Sequence, residues 1–553
     1  MPLRATAAAA AIVAVIMLPL PATAQSMPDM PGMPGMKMPA KPATKPKAKP
    51  APRRTPSRPA PARLPKAQPA PKAMPDMTMP PQPAPDAVPT SDAAMPGMDM
   101  TSPPTAAPAP AAPMPGMATT PSAAPAAPAP MAGMDMSDGK KMAGMPGMRA
   151  WPPHRFAGCQ DFPDPGPNGI VTGGTRCQPG EGSGTSRLPA IGGAMSGVHV
   201  MTGGWMLMLH GYAWGVYTDQ SGPRGRSMGF VPSMAMVEAT REIGGATLTL
   251  KSMLSLDPLM GKRGYPSLLA TGETADGVTP LIDRQHPHDL FMELSARVAV
   301  PLSPSIDAFV YGGPVAEPAL GPSAFMHRSS ARYLPLAPIT HHWFDSTHIT
   351  FGVVTVGLNS TRWQIEGSAF RGREPDQNRW DIETPKLDSW SVRATWNPSP
   401  NWSAQASYGR LKSPEALEPG IDEARTTASV QYARGGFSAL AGFSSKNRLP
   451  GRTLTAWIGE ANWDLGKHHS LFGRIENVAN DELFPDHADP LHDRPFRVTR
   501  GELGYAYRLK LTGALDAAIG GSGFVIGAPR ALDGAYGASP TGWTGFIKLS
   551  LGG

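Results

Sequence analysis

The chain has 553 residues, 67 of them proline and 61 glycine, and a formal net charge of +7. Residues 25–150 contain 14 Lys/Arg and 7 Asp/Glu, a difference of +7, so this stretch alone accounts for the excess. The charge belongs to a low-complexity tail, and no basic face with interleaved aromatic residues accompanies it. The composition therefore argues against a nucleic-acid-binding protein.

Residues 1–24 have the pattern of a secretory signal. Arg4 supplies the positive charge, residues 5–20 are apolar, and Ala22-Thr23-Ala24 is a small-residue cleavage site. Cleavage would leave Gln25 first, and because it is not cysteine, we expect no lipoprotein anchor. No later stretch reaches the roughly 18 apolar residues of a membrane helix. The exported chain is therefore expected to be soluble or a β-barrel.

Residues 25–150 form a Pro/Ala/Met/Gly-rich arm without aromatic residues. Such a composition buries too little apolar surface to offset the entropy of ordering, so we expect disorder in the periplasm. Its methionines recur as Met-x-x-Met and Met-x-Met. They are Met27, Met30, Met33, Met36, Met38, Met74, Met77, Met79, Met95, Met98, Met100, Met114, Met117, Met131, Met134, Met136, Met142, Met145 and Met148.

Clustered thioethers indicate a soft metal ion. Thioether sulfur is a neutral, soft donor that selects Cu(I) or Ag(I) over harder ions. The arm contains no histidine or cysteine, which argues against Zn(II) or Cu(II) there. We therefore predict Cu(I) as the ion bound by the arm. The alternative is that methionine is merely tolerated in a spacer, although its oxidation is then an unexplained liability.

Residues 151–198 form a transition segment that holds both cysteines, Cys159 and Cys177. The Pro- and Gly-rich sequence between them can turn back on itself. In an oxidising periplasm a disulfide is the expected outcome. The alternative is a two-thiolate metal site, which would need further ligands and a reducing compartment.

Residues 199–553 alternate between apolar and polar side chains, as strands with one apolar face do. Trp390, Val392, Ala394 and Trp396, for example, alternate with polar neighbours. About sixteen such segments occur, with Trp or Tyr near their ends. This pattern predicts an all-β fold, a sixteen-stranded antiparallel barrel of the outer-membrane type.

The connections alternate between short turns and long polar loops, which is the layout of an outer-membrane barrel. Gly244-Gly245, Gly435-Gly436 and a tight turn near Leu509-Lys510 are short, whereas residues 257–289 and 317–346 are long. An even strand count places both barrel ends on the short-turn side, the periplasm. The alternative is a soluble β-sandwich. The chain ends in Leu-Gly-Gly, whereas outer-membrane barrels usually end on an aromatic residue.

The long loops carry most of the candidate ligands in the barrel. A Cu(II) or Zn(II) site is one interpretation of these histidines, and an ordinary polar loop network is the other. The candidates are His286, His288, His341, His342 and His348. A second hypothesis concerns the first strands, where alternation would place thioethers in the lumen rather than toward lipid. These residues are Met206, Met208, Met234, Met236 and Met253.

Two resemblances accompany these patterns. The arm resembles the Met-rich N-terminus of copper-resistance outer-membrane proteins of Gram-negative bacteria. The stretches 284–296, 341–357 and 370–383 resemble a family of uncharacterised bacterial outer-membrane proteins. The resemblances imply an outer-membrane location, contact with outer-membrane lipids and periplasmic copper proteins as partners.

The sequence thus favours a barrel that handles Cu(I) or Ag(I), with capture by the arm and sequestration or export by the barrel. The alternative is a passive channel for another small solute, with the basic, proline-rich residues 41–71 as a cell-wall spacer. A lipid hydrolase using His469, Ser470 and Glu476 is a weaker alternative, because these residues follow a short turn on the periplasmic side. We therefore expect no enzymatic activity. The sequence indicates neither the direction of transport nor the oligomeric state.

Overall fold

The structure, a computed structural model, describes residue 156 and residues 169–173, 179–192 and 197–552. The arm methionines and both cysteines lie outside these residues, so the metal site of the arm and the disulfide stay predictions. In the described part of the chain, no helix is long and apolar enough to cross a membrane.

The described residues are almost entirely β-strand. The strands are β1 Ile170–Gly173, β2 Gly180–Glu181, β3 Arg187–Leu188, β4 Gly197–Thr202, β5 Trp205–Gln220, β6 Ser227–Phe230, β7 Ser233–Ile243, β8 Ala246–Leu254, β9 Tyr265–Pro266, β10 Arg284–Gln285, β11 Phe291–Ser303, β12 Ile306–Ala316, β13 Thr350–Asn359, β14 Trp363–Phe370, β15 Ser389–Trp396, β16 Trp402–Leu411, β17 Asp422–Arg434, β18 Phe437–Leu449, β19 Thr453–Leu465, β20 His469–Asn480, β21 Phe496–Lys510, β22 Leu515–Gly527 and β23 Thr541–Leu551. The helices are α1 His341–Phe344 and α2 Asp533–Tyr536, with 3₁₀ turns at Ala190–Gly192, Asp257–Met260, Phe325–His327, Ser329–Ala331, Ser346–His348 and Arg530–Leu532.

Sixteen of these strands close into one antiparallel barrel, as predicted. They are β5, β7, β8 and β11 to β23, each paired with the next. The ring closes where β23 pairs with the upper part of β5, from Leu551 opposite Gly211 to Gly542 opposite Gln220. The lower part of β5 pairs with β4, which also pairs with β1. Closure leaves none of the sixteen strands with a free edge.

The strand alternation separates an apolar outside from a polar inside. Val392 is 49% exposed on the outer face, whereas the next residue, Arg393, is 2% exposed inside. Exposed aromatic side chains mark both ends of the outer surface. Trp396, Trp402 and Trp463 lie near the short turns, and Trp390, Tyr408, Trp457 and Trp543 lie toward the long loops. Two such girdles flanking an apolar band are the outer surface of a barrel that lies in a bilayer.

The short and long connections fall on opposite ends of the barrel, as the sequence predicted. Two differences from the prediction concern single hairpins. The strand β21 continues through Lys510, so its turn is residues 511–514 rather than Leu509-Lys510. The connection between β18 and β19 is only residues 450–452, although it lies on the long-loop side. A cis Leu449–Pro450 bond stands at the start of that turn.

The loop between β12 and β13, residues 317–349, crosses the interior of the barrel. We call it the crossing loop. It contacts β17 to β20, on the opposite wall from the two strands that it joins. Arg328 of the loop donates from Nε to Glu460 of β19 at 2.6 Å, and Thr340 donates to Glu476 of β20. These carboxylates face inward because alternation gives them the inner face, so the loop is held by the polar lining of the barrel.

Residues 179–192 also lie inside the barrel, toward its short-turn end. The Arg187 guanidinium donates to Gln364 at 3.1 Å and to the Ser360 carbonyl at 2.6 Å. The Ser183 backbone N–H donates to Ser323 of the crossing loop at 3.0 Å. Two separate segments therefore lie in the interior, and the buried Arg393 donates to both, to the Gly321 carbonyl and to the Thr185 hydroxyl.

Candidate metal centre

Two loops bring together histidines that are far apart in sequence. The 255–290 loop, between β8 and β11, contributes His286 and His288, and the crossing loop contributes His341, His342 and His348. We call these five the histidine cluster. The ring centroids are 5.1 Å apart for His341 and His348, 5.3 Å for His288 and His348, and 5.9 Å for His286 and His342. The structure thus unites all five histidines singled out in the sequence.

In four of the rings one nitrogen is held by an oxygen atom. His288 Nδ1 lies 2.8 Å from Asp257 Oδ2, and His341 Nδ1 lies 2.7 Å from Asp345 Oδ1. His348 Nδ1 lies 2.7 Å from the Asp345 carbonyl, and His286 Nδ1 lies 3.2 Å from the Pro287 carbonyl. Carbonyl and ionised carboxylate oxygens only accept hydrogen bonds, so each Nδ1 is the donor. In the neutral ring Nε2 then carries the lone pair, which is the tautomer that a metal ligand needs.

Burial favours the neutral form of three of these rings. It lowers the pKa of His286 and of His348 well below the ordinary imidazole value, and neighbouring imidazoles lower both further. The pKa of His341 is lowered by burial as well, although Asp345 opposes the shift. A neutral imidazole is the form that coordinates Zn, Cu, Fe or Ni.

In the four rings held through Nδ1, two Nε2 atoms are buried without a hydrogen-bond partner. His348 Nε2 is buried and has no hydrogen-bond partner. His286 Nε2 lies 3.2 Å from Glu273 Oε1, yet its Nδ1 already donates to a carbonyl. In the neutral ring this places a lone pair against a carboxylate oxygen. A proton or a metal ion between the two atoms would remove that repulsion.

A tighter group lies on one side of the cluster. Among the described residues, His342, Glu374 and Glu415 are the set of three ligands whose donor atoms already lie within 4.8 Å of one another. His342 Nδ1 is 3.3 Å from Glu374 Oε1, and this carboxylate raises the pKa of His342 against the effect of burial. However, Lys446 Nζ is 2.9 Å from Glu415 and supplies a positive charge there.

Three other histidines of the cluster are less tightly grouped. In the described structure, the potential ligand nitrogens of His288, His341 and His348 do not all lie within 4.8 Å of one another. Their Nδ1 atoms are held by oxygens of Asp257 and Asp345, which belong to two different loops. We regard these three as the better candidate ligand set, because the oxygen partners of Nδ1 fix the tautomer of each ring.

The lumen position predicted for the methionines of the first strands is confirmed for four of them. Met208, Met234, Met236 and Met253 are each at most 4% exposed, in one interior cluster. Val237 of β7 and Leu250 of β8 are instead exposed on the outer face. Met206 has the same strand parity as Met208 but is only partly buried, since it lies next to the short turn of the barrel.

The hydrolase set is not assembled in the structure. Ser470 Oγ donates to Asp464 at 2.6 Å, and His469 Nδ1 lies 2.7 Å from the Tyr505 hydroxyl. Glu476 accepts from Thr340 of the crossing loop. Because His469 and Ser470 are consecutive in a strand, their side chains point to opposite faces of the barrel wall.

Several groups in the centre were not identified from sequence. Asp257, Glu273, Glu374 and Glu415 lie in loops rich in charged residues, where nothing distinguishes them from solvated neighbours. His327 of the crossing loop is also absent from the candidate ligands predicted from the sequence. Burial lowers its pKa to about 3, with help from His210, Lys251 and His288. The sequence signal that could have selected it is its position directly after Met326.

No protein-family model matches the chain, and no curated protein matches it in sequence. Among solved structures it is similar to the anion-selective porin from Comamonas acidovorans, with 12% identity and a TM-score of 0.41 over 63% of this chain and 99% of that one. It is similar to OmpF of Salmonella typhi in complex with daunomycin, with 9% identity and a TM-score of 0.42 over 63% and 98%. Pseudomonas putida OprB gives 11% identity and a TM-score of 0.41 over 63% and 94%. At these identities and scores the likeness adds nothing to what the strand pairing already shows.

Proposed function

We propose that this chain is an outer-membrane barrel that binds copper or silver ions, with capture by the arm and binding in the barrel interior. The observation that carries the proposal is the histidine cluster. Four of its rings donate from Nδ1 to oxygen, which leaves the lone pair on Nε2, and Nε2 of His286 and of His348 is buried without a hydrogen-bond partner. Oxygen partners that hold the far ring nitrogen are the usual support of metal-binding histidines.

The choice of copper rests on two ligand chemistries in one molecule. Imidazole suits Cu(II) and Zn(II), whereas thioether suits Cu(I) and Ag(I). The arm has 19 methionines and no histidine, and the barrel interior has both residue types. Copper is the metal for which both sets are useful, because it cycles between the two oxidation states. The signal-like residues 1–24 and the apolar outer surface support an outer-membrane location.

A passive channel is the second candidate. A barrel of sixteen strands is wide enough to enclose an aqueous pore. The crossing loop and residues 179–192 occupy this interior, however, and bury inward side chains such as Arg393 and Arg425. A wide open pore would leave such charged groups in water, so we favour metal binding.

The test is metal titration of the full chain purified in detergent. A variant with His288→Gln, His341→Gln and His348→Gln should lose the Cu(II) electron paramagnetic resonance signal that shows nitrogen ligands, because it lacks the three imidazoles. The matched control is His468→Gln with His469→Gln, which removes two exposed imidazoles at the short-turn end. An identical Cu(II) signal in all three proteins would contradict a metal centre at the cluster. High conductance in planar bilayers would then favour the passive channel.

A further inference from the structure

Beyond residue 150, methionines occur only in the first half of the remaining sequence. Eleven occur after Trp151, and the last of them is Met326, so none lies in the following 227 residues. Most of them are gathered in one buried cluster. Its methionines are Met208, Met234, Met236, Met253 and Met292, and Met326 of the crossing loop packs against it. Barrel interiors are usually polar, so an interior patch built of thioethers calls for a specific reason.

Strand register places part of this cluster in a row. His210 of β5 lies opposite Met236 of β7, which lies opposite Met253 of β8. Side chains directly opposite on one face have Cβ atoms about 4.5–5.5 Å apart. Thioethers so spaced can reach a common ion. We call His210, Met236, Met253 and Met292 the methionine row.

Met292 joins the row through a bulge. Regular alternation in β11 would turn it outward, since Glu293 faces inward opposite Met253. The pairing shifts between Phe291 and Glu293, and both Met292 and Glu293 are buried. Bulges re-aim a single side chain in this way, often next to functional sites.

His327 is the second, independent observation. Its ring is 2% exposed, and neither nitrogen has a hydrogen-bond partner. The centroid of this ring lies 6.4 Å from that of His210, at the end of the row, and the preceding residue is Met326. A buried imidazole that makes no hydrogen bond is costly, which points to a ligand that would satisfy it.

Two carboxylates and one ammonium group lie beside the row. Glu238 and Lys251 flank it on one side, with Oε2 and Nζ 3.4 Å apart. Glu293 accepts from the Tyr311 hydroxyl at 2.8 Å and from Ser295 at 2.7 Å. With its carboxylates already engaged, the row offers neutral soft donors, which suit a monovalent soft cation and disfavour a hard divalent one.

We propose that Met236, Met253 and Met292, completed by His327, form a site for one Cu(I) or Ag(I) ion inside the barrel. This site is separate from the histidine cluster, and it rests on the proposed function only for the identity of the metal. It deepens that function by giving each oxidation state of copper a place of its own: thioethers for Cu(I), imidazoles for Cu(II).

The experiment is a soak of crystals of the full chain in Ag(I), with silver located by anomalous diffraction. We expect an anomalous peak among the sulfurs of the row. The peak should be lost in the Met236→Leu, Met253→Leu, Met292→Leu variant, in which side-chain volumes are similar. The matched control is Met228→Leu with Met260→Leu, two methionines outside the cluster, which should keep the peak.

Two outcomes overturn the site: no silver at the row in the unaltered protein, or silver there that the triple Leu variant retains. If the variant fails to fold, the presence or absence of silver at the row in the unaltered protein decides whether the site exists. Soaking the His288→Gln, His341→Gln, His348→Gln variant separates this site from the proposed function. Silver bound at the row in that variant supports the site even if the histidine cluster binds no Cu(II). A full chain in which every methionine of the arm is changed to Leu should also show the anomalous peak at the row.

Discussion

Asp345 is the residue that joins the histidine cluster to the framework of the crossing loop. Its Oδ1 accepts from His341 at 2.7 Å, and its Oδ2 accepts from Arg328 and from the Phe325 backbone N–H, both at 3.0 Å. Burial alone would raise the pKa of Asp345, but His341 and Arg328 lower it overall. Asp345 is therefore ionised, and it orients His341 without being a ligand itself.

Replacement of this carboxylate should weaken metal binding without removing a ligand. In Asp345→Asn the side-chain volume is kept, but the charged acceptor for His341 and Arg328 is lost. We expect Cu(II) affinity to fall about 10- to 100-fold, the usual effect of changing an outer partner of a metal-bound histidine. Titration of the purified protein measures it. Asp486→Asn, at an exposed position in another long loop, is the control. Equal affinities in the two variants would mean that Asp345 has only a structural role.

The crossing loop is the element that determines what the barrel interior can do. It carries three of the five clustered histidines, and it is fixed to the far wall through Arg328 and Thr340. Its turn at Gly321 has φ +83°, and a Cβ added there would meet the Phe344 carbonyl oxygen at 2.0 Å. That carbonyl ends helix α1, so the turn and the histidine-bearing helix are packed backbone to backbone.

Gly321→Ala should therefore displace helix α1 and loosen the crossing loop. Gly420→Ala is the matched control, since Gly420 has φ +87° but nothing within 4 Å of an added Cβ. Both variants bear the left-handed strain of about 1–2 kcal/mol. Only Gly321→Ala adds the clash, so its free energy of unfolding should fall further and its planar-bilayer conductance should rise. Equal unfolding free energies and conductances would show that the turn does not hold the loop in place.

At the scale of the whole molecule, the barrel has two unequal ends. The sixteen strands place the long loops at one end and the short turns at the other, together with the start of β5 and the end of β23. A chain exported through the periplasm and inserted from that side should keep the short turns in the periplasm.

Single cysteines test this orientation. Asn378→Cys lies in a long loop and Lys467→Cys in a short turn, and both positions are exposed. In a background with Cys159→Ser and Cys177→Ser, a membrane-impermeant maleimide added to whole cells should label only Asn378→Cys. Lysed cells should show both positions labelled. Labelling of Lys467→Cys in intact cells would reverse the proposed orientation.

The sequence by itself determined the barrel, because the two-residue alternation is a local property that places each side chain on one face. Trp390 to Trp396 shows this directly, since its apolar residues are outside and its polar residues inside. The turn and loop pattern likewise indicated the strand number, and parity placed Met253 in the lumen. These predictions needed only neighbours in the chain. A closed barrel was then the expected arrangement, because it leaves neither the first nor the last strand with an unpaired edge.

Only the tertiary structure decided the contents of the barrel. That His286 lies near His342, and that Asp257 supports His288, depends on how two long loops fold into one space, which no local pattern encodes. The burial of Met292 depends on a bulge, and that of His327 on the crossing loop reaching β5. Loop packing is set by contacts between distant residues, such as Arg328 with Glu460. The sequence therefore indicated candidate ligands but not which of them lie close together.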